Sequence, residues 1–390
     1  MPHIKVKPFK IEILNDLISR SEHFIFRAID LHGQHEMLGV DFEGEQFMLE
    51  IKEKNNLCQI KPDGISRPLD SDKIKRVLSL LIQELKLEVE HSNITLHPHK
   101  PMPAEIYNKK IRDFEEPLFY KDKIAIEVGF GSGRHLLFQA KNNPDTLFVG
   151  IEIHTPSAQQ VLKQIALQGL DNIWIVNYDA RLLLEMMPSN SCSHIYVHFP
   201  VPWDKKPHRR VLGECFLKES LRVLEKGAGL ELRTDSDKYY AHALEVFSSP
   251  PKVEFTVNKN LDLSVVSKYE DRWRAKKKDI YTLAIYSKEN SSQKKREYSF
   301  EFEESIKMPN LIDLPNETLV QASFFVHFER KYRVVESEDM IIRCAFGSFD
   351  KPEHKYLVQH DSMLRYYPQN PAKTEVNYLA HKQIGEFIYG

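Results

Sequence analysis

Five apolar runs between residues 123 and 234, KIAIEVGF, LFVGIEI, NIWIVN, SHIYVHF and GLELRT, alternate with helix-forming segments. Strands that are apolar on both faces need cover on both faces, and crossover helices supply it in parallel sheets. The pattern predicts an α/β core over residues 104–288. The first run ends in GFGSG, where Gly129, Gly131 and Gly133 lead into the helical segment RHLLFQAKNN. Glycines at such a turn let the backbone approach a ligand closely.

Two later acids give that turn a meaning. Glu152 ends the second run, where a carboxylate can take ribose hydroxyls. Asp179, in NYDA, ends the third and can accept from an adenine amino group. Each acid alone reads as a solvated strand end or a helix cap; the series points to a nucleoside-like ligand. A dinucleotide fingerprint needs glycine where Arg134 stands. Glu127, which opens the loop, would repel a pyrophosphate but suits the sulfonium and ammonium of S-adenosyl-L-methionine.

The flanks differ in character. Residues 1–100 hold short alternating runs broken by glycine, a hairpin pattern, and a helix SDKIKRVLSLLIQELK behind a Ser71 cap. Residues 298–390 return to strand-like runs, YSFEFE, ASFFVHF, RVVE, MIIRCAF and KYLVQH. HSNITLHPHKPMP and SKENSSQKKRE read as linkers, and no internal repeat is visible. Three regions result: a β-rich extension with one helix (1–100), the α/β core (104–288) and a second β-rich extension (298–390). With four scattered cysteines and no CxxC pair, neither a disulfide framework nor a metal site is expected. The N-terminus lacks a signal-like apolar segment and no run is long enough for a membrane span, so a cytoplasmic protein is expected.

The net charge of −2 excludes a globally basic nucleic-acid coat. Charge placement is more telling. HFPVPWDKKPHRRV (198–211) concentrates Lys205, Lys206, Arg209 and Arg210 behind Trp203, at a strand exit stiffened by Pro200 and Pro202. SKYEDRWRAKKKD (267–279) adds Lys268, Arg272, Arg274, Lys276, Lys277 and Lys278. Either run alone reads as a solvated turn; two at one sheet mouth suit a polyanion.

IEVGFGSG, GIEIH, NYDA, FPVPWDKKPHRR, RTDSDKYY and SKYE, in that order, resemble the bacterial tRNA (guanine-N7-)-methyltransferase family. The resemblance covers about half the chain and leaves both flanks outside. It implies a Rossmann-like class I methyltransferase core with a mainly parallel seven-stranded sheet. It implies methyl transfer to N7 of a guanosine in the tRNA variable loop, position 46. Glu127, Gly129, Gly131, Gly133, Glu152 and Asp179 would then hold S-adenosyl-L-methionine. Lys205, Arg209, Arg210, Asp235 and Ser267, Lys268, Tyr269 and Glu270 would meet the tRNA, with Asp235 and Glu270 gripping the guanine.

One motif departs from the family, which usually has P-D-P-W where this chain has PVPW. Val201 replaces the aspartate, and Asp204 keeps a carboxylate three residues on. Guanine N7 carries an in-plane lone pair and no proton, so attack on a methyl carbon needs no general base. Positioning, worth roughly 7–11 kcal/mol, is what the protein must supply. The alternative that Val201 favours is a non-catalytic RNA-binding protein that keeps the fold. Three retained cofactor acids argue against it.

Overall fold

The computed structural model describes residues 1–33, 35–95, 105–117, 119–262, 265, 268–294, 297–302, 310–360 and 363–390. The chain forms two compact units, one of residues 101–297 and one of residues 1–100 together with 298–390.

In the middle unit the strands are β1 (Lys123–Val128), β2 (Thr146–Ile151), β3 (Ile173–Val176), β4 (Cys192–His198), β5 (Leu224–Thr234), β6 (Phe255–Lys259) and β7 (Tyr281–Tyr286). The helices are α1 (Arg134–Asn142), α2 (Thr155–Gln168), α3 (Ala180–Met186), α4 (Glu214–Val223), α5 (Asp237–Phe247) and α6 (Lys268–Ala275). The sheet runs β6-β7-β5-β4-β1-β2-β3 and gains an eighth strand, Asn108–Lys109, beside β3. Strands β1 to β5 are parallel, and β7 is antiparallel to β5 and β6. Among the described residues the core is therefore a mainly parallel α/β sheet of eight strands where seven were expected. The strand interiors are buried because their side chains are apolar on both faces; Ile124, Ile126, Val149, Ile175, Ile195, Leu230 and Leu232 are at most 3% exposed.

The two flanks pair with each other. Phe24–Asp30 and Phe325–Val334 run antiparallel, with Asp30 opposite Tyr332 and Ala28 opposite Val334. Among the described residues they sit inside one eleven-stranded antiparallel sheet. Each half contains a four-stranded meander followed by a 15-residue helix, Ser71–Leu85 in one and Glu375–Tyr389 in the other; the first half adds the strands Ile4–Val6 and Val89–Ser92 and the helix Ile13–Arg20, and the second the strand Leu319–Val320. Each helix is capped by the side chain before it, Asp70 or Thr374; Asp70, not Ser71, caps the first. This structural repeat has no counterpart visible in the sequence. The helix Glu375–Tyr389 is absent from the sequence reading. YSFEFE, read there as a strand, is irregular over Tyr298–Phe302 and otherwise lies outside the described residues. Two cores, one under each helix, share the face opposite a seam cluster that includes Met37, Met48, Tyr332 and Tyr356. Tyr356 donates to Asp63 across the halves at 2.8 Å.

His381, on the second helix, is 7% exposed among Phe300, Phe302 and Tyr366. Burial pushes its pKa down from 6.5 to about 4. The unfolded chain therefore binds a proton there before the folded chain does, and stability falls as pH drops through that window. The slope is up to about 1.4 kcal/mol per pH unit. Urea midpoints measured between pH 7 and 4 should fall, and His381→Gln should flatten the fall; an equal slope in both proteins would remove His381 as the cause.

No helix of the described residues is long and apolar enough to cross a membrane.

Candidate active site

The chemistry-bearing residues follow the carboxyl ends of the parallel strands, where open α/β sheets bind ligands. Val128, Ile151 and Val176 pair in one row across β1, β2 and β3. The next residue on each strand is Gly129, Glu152 or Asn177. On the other side of β1, His198 of β4 pairs with Arg233 of β5, and Asp235 follows β5. The register thus gathers Glu127, the glycine loop, Glu152, Asp179, the β4 exit loop and Asp235 along one edge.

The loop fits a cofactor. Gly129, Gly131 and Gly133 have φ of +71°, +55° and +71°, a region that disfavours side chains. A Cβ on Gly133 would lie 2.4 Å from Val161, which fixes the packing of the loop on α2. A Cβ on Gly129 would meet nothing within 4 Å, so open space lies above that backbone. Glu152 accepts from Gly131 N at 3.0 Å and from His154 N at 2.9 Å. Each oxygen keeps lone pairs for further donors. Asp179 caps α3 by accepting from Arg181 N at 2.9 Å, and also pairs with the Arg181 guanidinium. The helix-cap reading of Asp179 therefore holds structurally. Glu127 is 3% exposed and bonds His135 at 2.8 Å, so it lies beneath the loop and does not face open solvent.

That bond opens a polar cluster on one sheet face. His198 bonds Glu231 at 2.8 Å, its ring 4.5 Å from His135, and Tyr196 and His194 lie alongside. Burial pushes the His194 and His198 pKa values down and lifts the Tyr196 hydroxyl to about 12. His194 and His198 are thus neutral imidazoles beside the ionised Glu231, whose carboxyl is held down by the His198 bond. The alternation of His194, Tyr196 and His198 along β4 was the sequence signal for this cluster, and the sequence reading missed it.

The β4 exit loop is strained and tied down. Phe199 and Trp203 have φ of +51° and +46°, left-handed values that cost roughly 1–2 kcal/mol each for residues with a Cβ. Arg210 holds the turn, donating from Nε to Pro202 O at 2.8 Å and lying over the Tyr239 ring. Its side chain is 8% exposed and 3.7 Å from Asp204. Arg210, expected to meet phosphate, staples the loop. Arg209 lies over Trp203, and Lys205, Lys206 and Asp204 are exposed. Val201 is 61% exposed.

Helix α6 carries another of the expected site residues. Glu270, expected to grip the guanine, is 1% exposed and bonds Arg233 at 2.6 Å and Arg274 at 2.9 Å. Arg233 is fully buried and donates also to Thr282. Both arginines donate to Glu270 Oε1. Asp235 remains 17% exposed at the strand exit, bonded to Lys278 at 2.6 Å. Arg272, Lys276 and Lys278 surround the Trp273 ring at 4.0–5.5 Å. Arg134 pairs with Asp271, joining the start of α1 to α6. Ser267 and the side chains of Lys268 and Tyr269 lie outside the described residues. Arg233 was not singled out from sequence; a basic residue interrupting the apolar GLELRT strand was the available sign. Among the described residues, no group of three or more His, Cys, Asp or Glu side chains could hold a metal ion.

The family model described as "Putative methyltransferase" matches residues 121–283, the span of this sheet. The tRNA (guanine-N(7)-)-methyltransferase of Wolinella succinogenes is 38% identical over 366 residues, covering 92% of each chain. The chain belongs to the tRNA (guanine-N7-)-methyltransferase family. The member from Campylobacter jejuni is 35% identical over 398 residues, covering 100% of this chain and 98% of that one. The member from Helicobacter acinonychis is 36% identical, covering 98% and 96%. These family members share both flanks, which the motif resemblance alone left outside.

Proposed function

We infer that this chain transfers a methyl group from S-adenosyl-L-methionine to N7 of a guanosine in tRNA, at position 46 of the variable loop. The observation that carries this is the likeness to relatives of that name over nearly the whole chain. The glycine loop, Glu127, Glu152 and Asp179 would hold the cofactor, which supplies an electrophilic methyl group. Glu152 suits the ribose hydroxyls, and Glu127, through its buried charge, favours a cation above the loop. Asp235 is the acceptor for the guanine N1–H and N2–H₂ edge, and it balances the positive charge the base acquires. Glu270 positions α6. Lys205, Lys206, Arg209, Arg272, Lys276 and Lys277, all exposed, are the bases available to phosphates.

Charge distribution supports this division. Residues 101–297 carry 30 Lys+Arg against 26 Asp+Glu, a net of +4. The other unit carries 24 against 30, a net of −6, and so repels a polyanion. A tRNA partner places the protein in the cytoplasm. The test is methyl transfer from labelled cofactor to bulk tRNA followed by nucleoside analysis; product other than N7-methylguanosine would overturn the reading.

Val201 favours a second reading, a scaffold that binds RNA without turnover. Position 201 is solvent-facing, so Val201→Asp meets no packed apolar wall. The natural protein should be active, and Val201→Asp should change the initial rate by less than about tenfold, equivalent to roughly 1.4 kcal/mol. An inactive natural protein rescued a hundredfold would establish the scaffold.

A further inference from the structure

The two carboxylates at the β5 exit are both occupied by cations, but in different ways. Glu270 lies between two arginines, with Arg233 fully buried and the carboxylate itself 1% exposed. Separating them would strand a buried charge, so this contact is permanent. Asp235 is held by one lysine whose side chain is 43% exposed. Pairs this open are worth little, and another anion can replace the carboxylate.

Lys278 is also delivered to Asp235 by its local structure. Lys277 takes a φ of +54° as the chain leaves α6, and Lys278 N donates back to Trp273 O at 3.1 Å. The Lys278 ammonium rests 4.0 Å from the centre of the Trp273 ring, beside Arg272 and Lys276. The lysine that blocks Asp235 is thus part of the basic cluster suited to phosphates.

We propose that Lys278 is a specificity gate: it covers Asp235 until an RNA phosphate draws it away, and only then can Asp235 accept a guanine edge. This rests on Asp235 being the guanine acceptor. A guanine joined to a polyanion brings its own means of opening the site. Free guanosine, which carries no charge, must displace the ammonium unaided. The exchange conserves ion pairs, Lys278 to phosphate replacing Lys278 to Asp235, so RNA binding loses little while small guanine compounds are disfavoured.

The experiment measures guanosine as an inhibitor of tRNA methylation in wild type, Lys278→Met, Lys278→Gln and Lys278→Arg. Methionine keeps the apolar stem over Trp273 and removes the charge. Lys278→Met and Lys278→Gln should lower the guanosine inhibition constant by about fivefold, near the upper limit for so exposed a pair. Both should also raise KM for tRNA and make the slope of log K against log salt shallower by about 0.9. Lys278→Arg should resemble wild type. Calorimetry with S-adenosyl-L-methionine confirms that each variant is folded. An unchanged inhibition constant, or no inhibition of any variant by guanosine up to its solubility, overturns the gate and leaves Lys278 a simple phosphate contact. Asp235→Asn separates the two inferences. If it keeps full turnover on tRNA, the acceptor reading itself fails; if it loses turnover while Lys278→Met leaves guanosine inhibition unchanged, only the gate fails.

Discussion

Glu270→Ala is expected to destabilise the unit formed by residues 101–297 by about 3–5 kcal/mol, the usual consequence of removing one partner of a buried ion pair. The reason lies in Arg233. It is fully buried on β5, and its Nε has no hydrogen-bond partner among the described residues. Without Glu270 its guanidinium keeps the Thr282 hydroxyl and no directly bonded counter-charge, with Glu231 acting only at longer range. Replacing both charges, as in Arg233→Met with Glu270→Leu, should restore much of the loss, since neither buried ion then remains. Urea unfolding of the two variants beside wild type makes the comparison. A loss below about 1 kcal/mol in Glu270→Ala would mean that water reaches the pair. Reduced methylation by Glu270→Ala must accordingly be corrected for the folded fraction before any contact with the base is assigned to it.

Binding to tRNA should weaken steeply with salt despite the net charge of −2. Ten basic residues in the two clusters first suggest a large footprint, but the fold reduces it. Arg210 is enclosed in its loop, and Arg274 is shared between Glu270 and Asp262. Lys205, Lys206, Arg209, Arg272, Lys276 and Lys277 remain exposed. If about half of these six, together with Lys278, neutralise phosphates, log K against log salt should slope at roughly −3 to −4. Affinity would then fall by about two orders of magnitude between 50 and 200 mM salt. Filter binding or fluorescence anisotropy across that range measures the slope. A value near zero would reduce both clusters to solvated surface.

The middle unit was legible because its signals are local. Parallel strands read as unbroken apolar runs, and the glycine loop needs glycine wherever φ is positive. The acids at strand ends were placed correctly along the sheet by counting strands. Partnership was not legible. Nothing in SKYE distinguishes an open carboxylate from one enclosed by Arg233, a residue 37 positions earlier. Asp235 and Lys278 likewise meet only because β7 returns antiparallel to β5. Arg210 looked like its neighbour Arg209 in sequence; Tyr239 and Pro202 O decide which of them is enclosed. In the flanks the alternation showed strands but not their pairing across some 300 residues.

That pairing has a consequence for how the protein is made. Phe24–Asp30 leaves the ribosome early, while its neighbour in the sheet, Phe325–Val334, is about 300 residues away. At roughly 5–20 residues per second, synthesis leaves that edge without its neighbour for about 15–60 seconds. Met37 and Met48 wait as long for Tyr332, Ile341 and Tyr356 to cover them. An open edge beside uncovered methionines is a template for unwanted pairing between nascent chains. The first half tempers this with its own apolar core beneath Ser71–Leu85 and with the Arg27–Glu36 ion pair, which places charge on the waiting strand. The middle unit has all its strands by residue 286 and can close before the second half emerges. The oldest part of the chain is thus among the last to be completed.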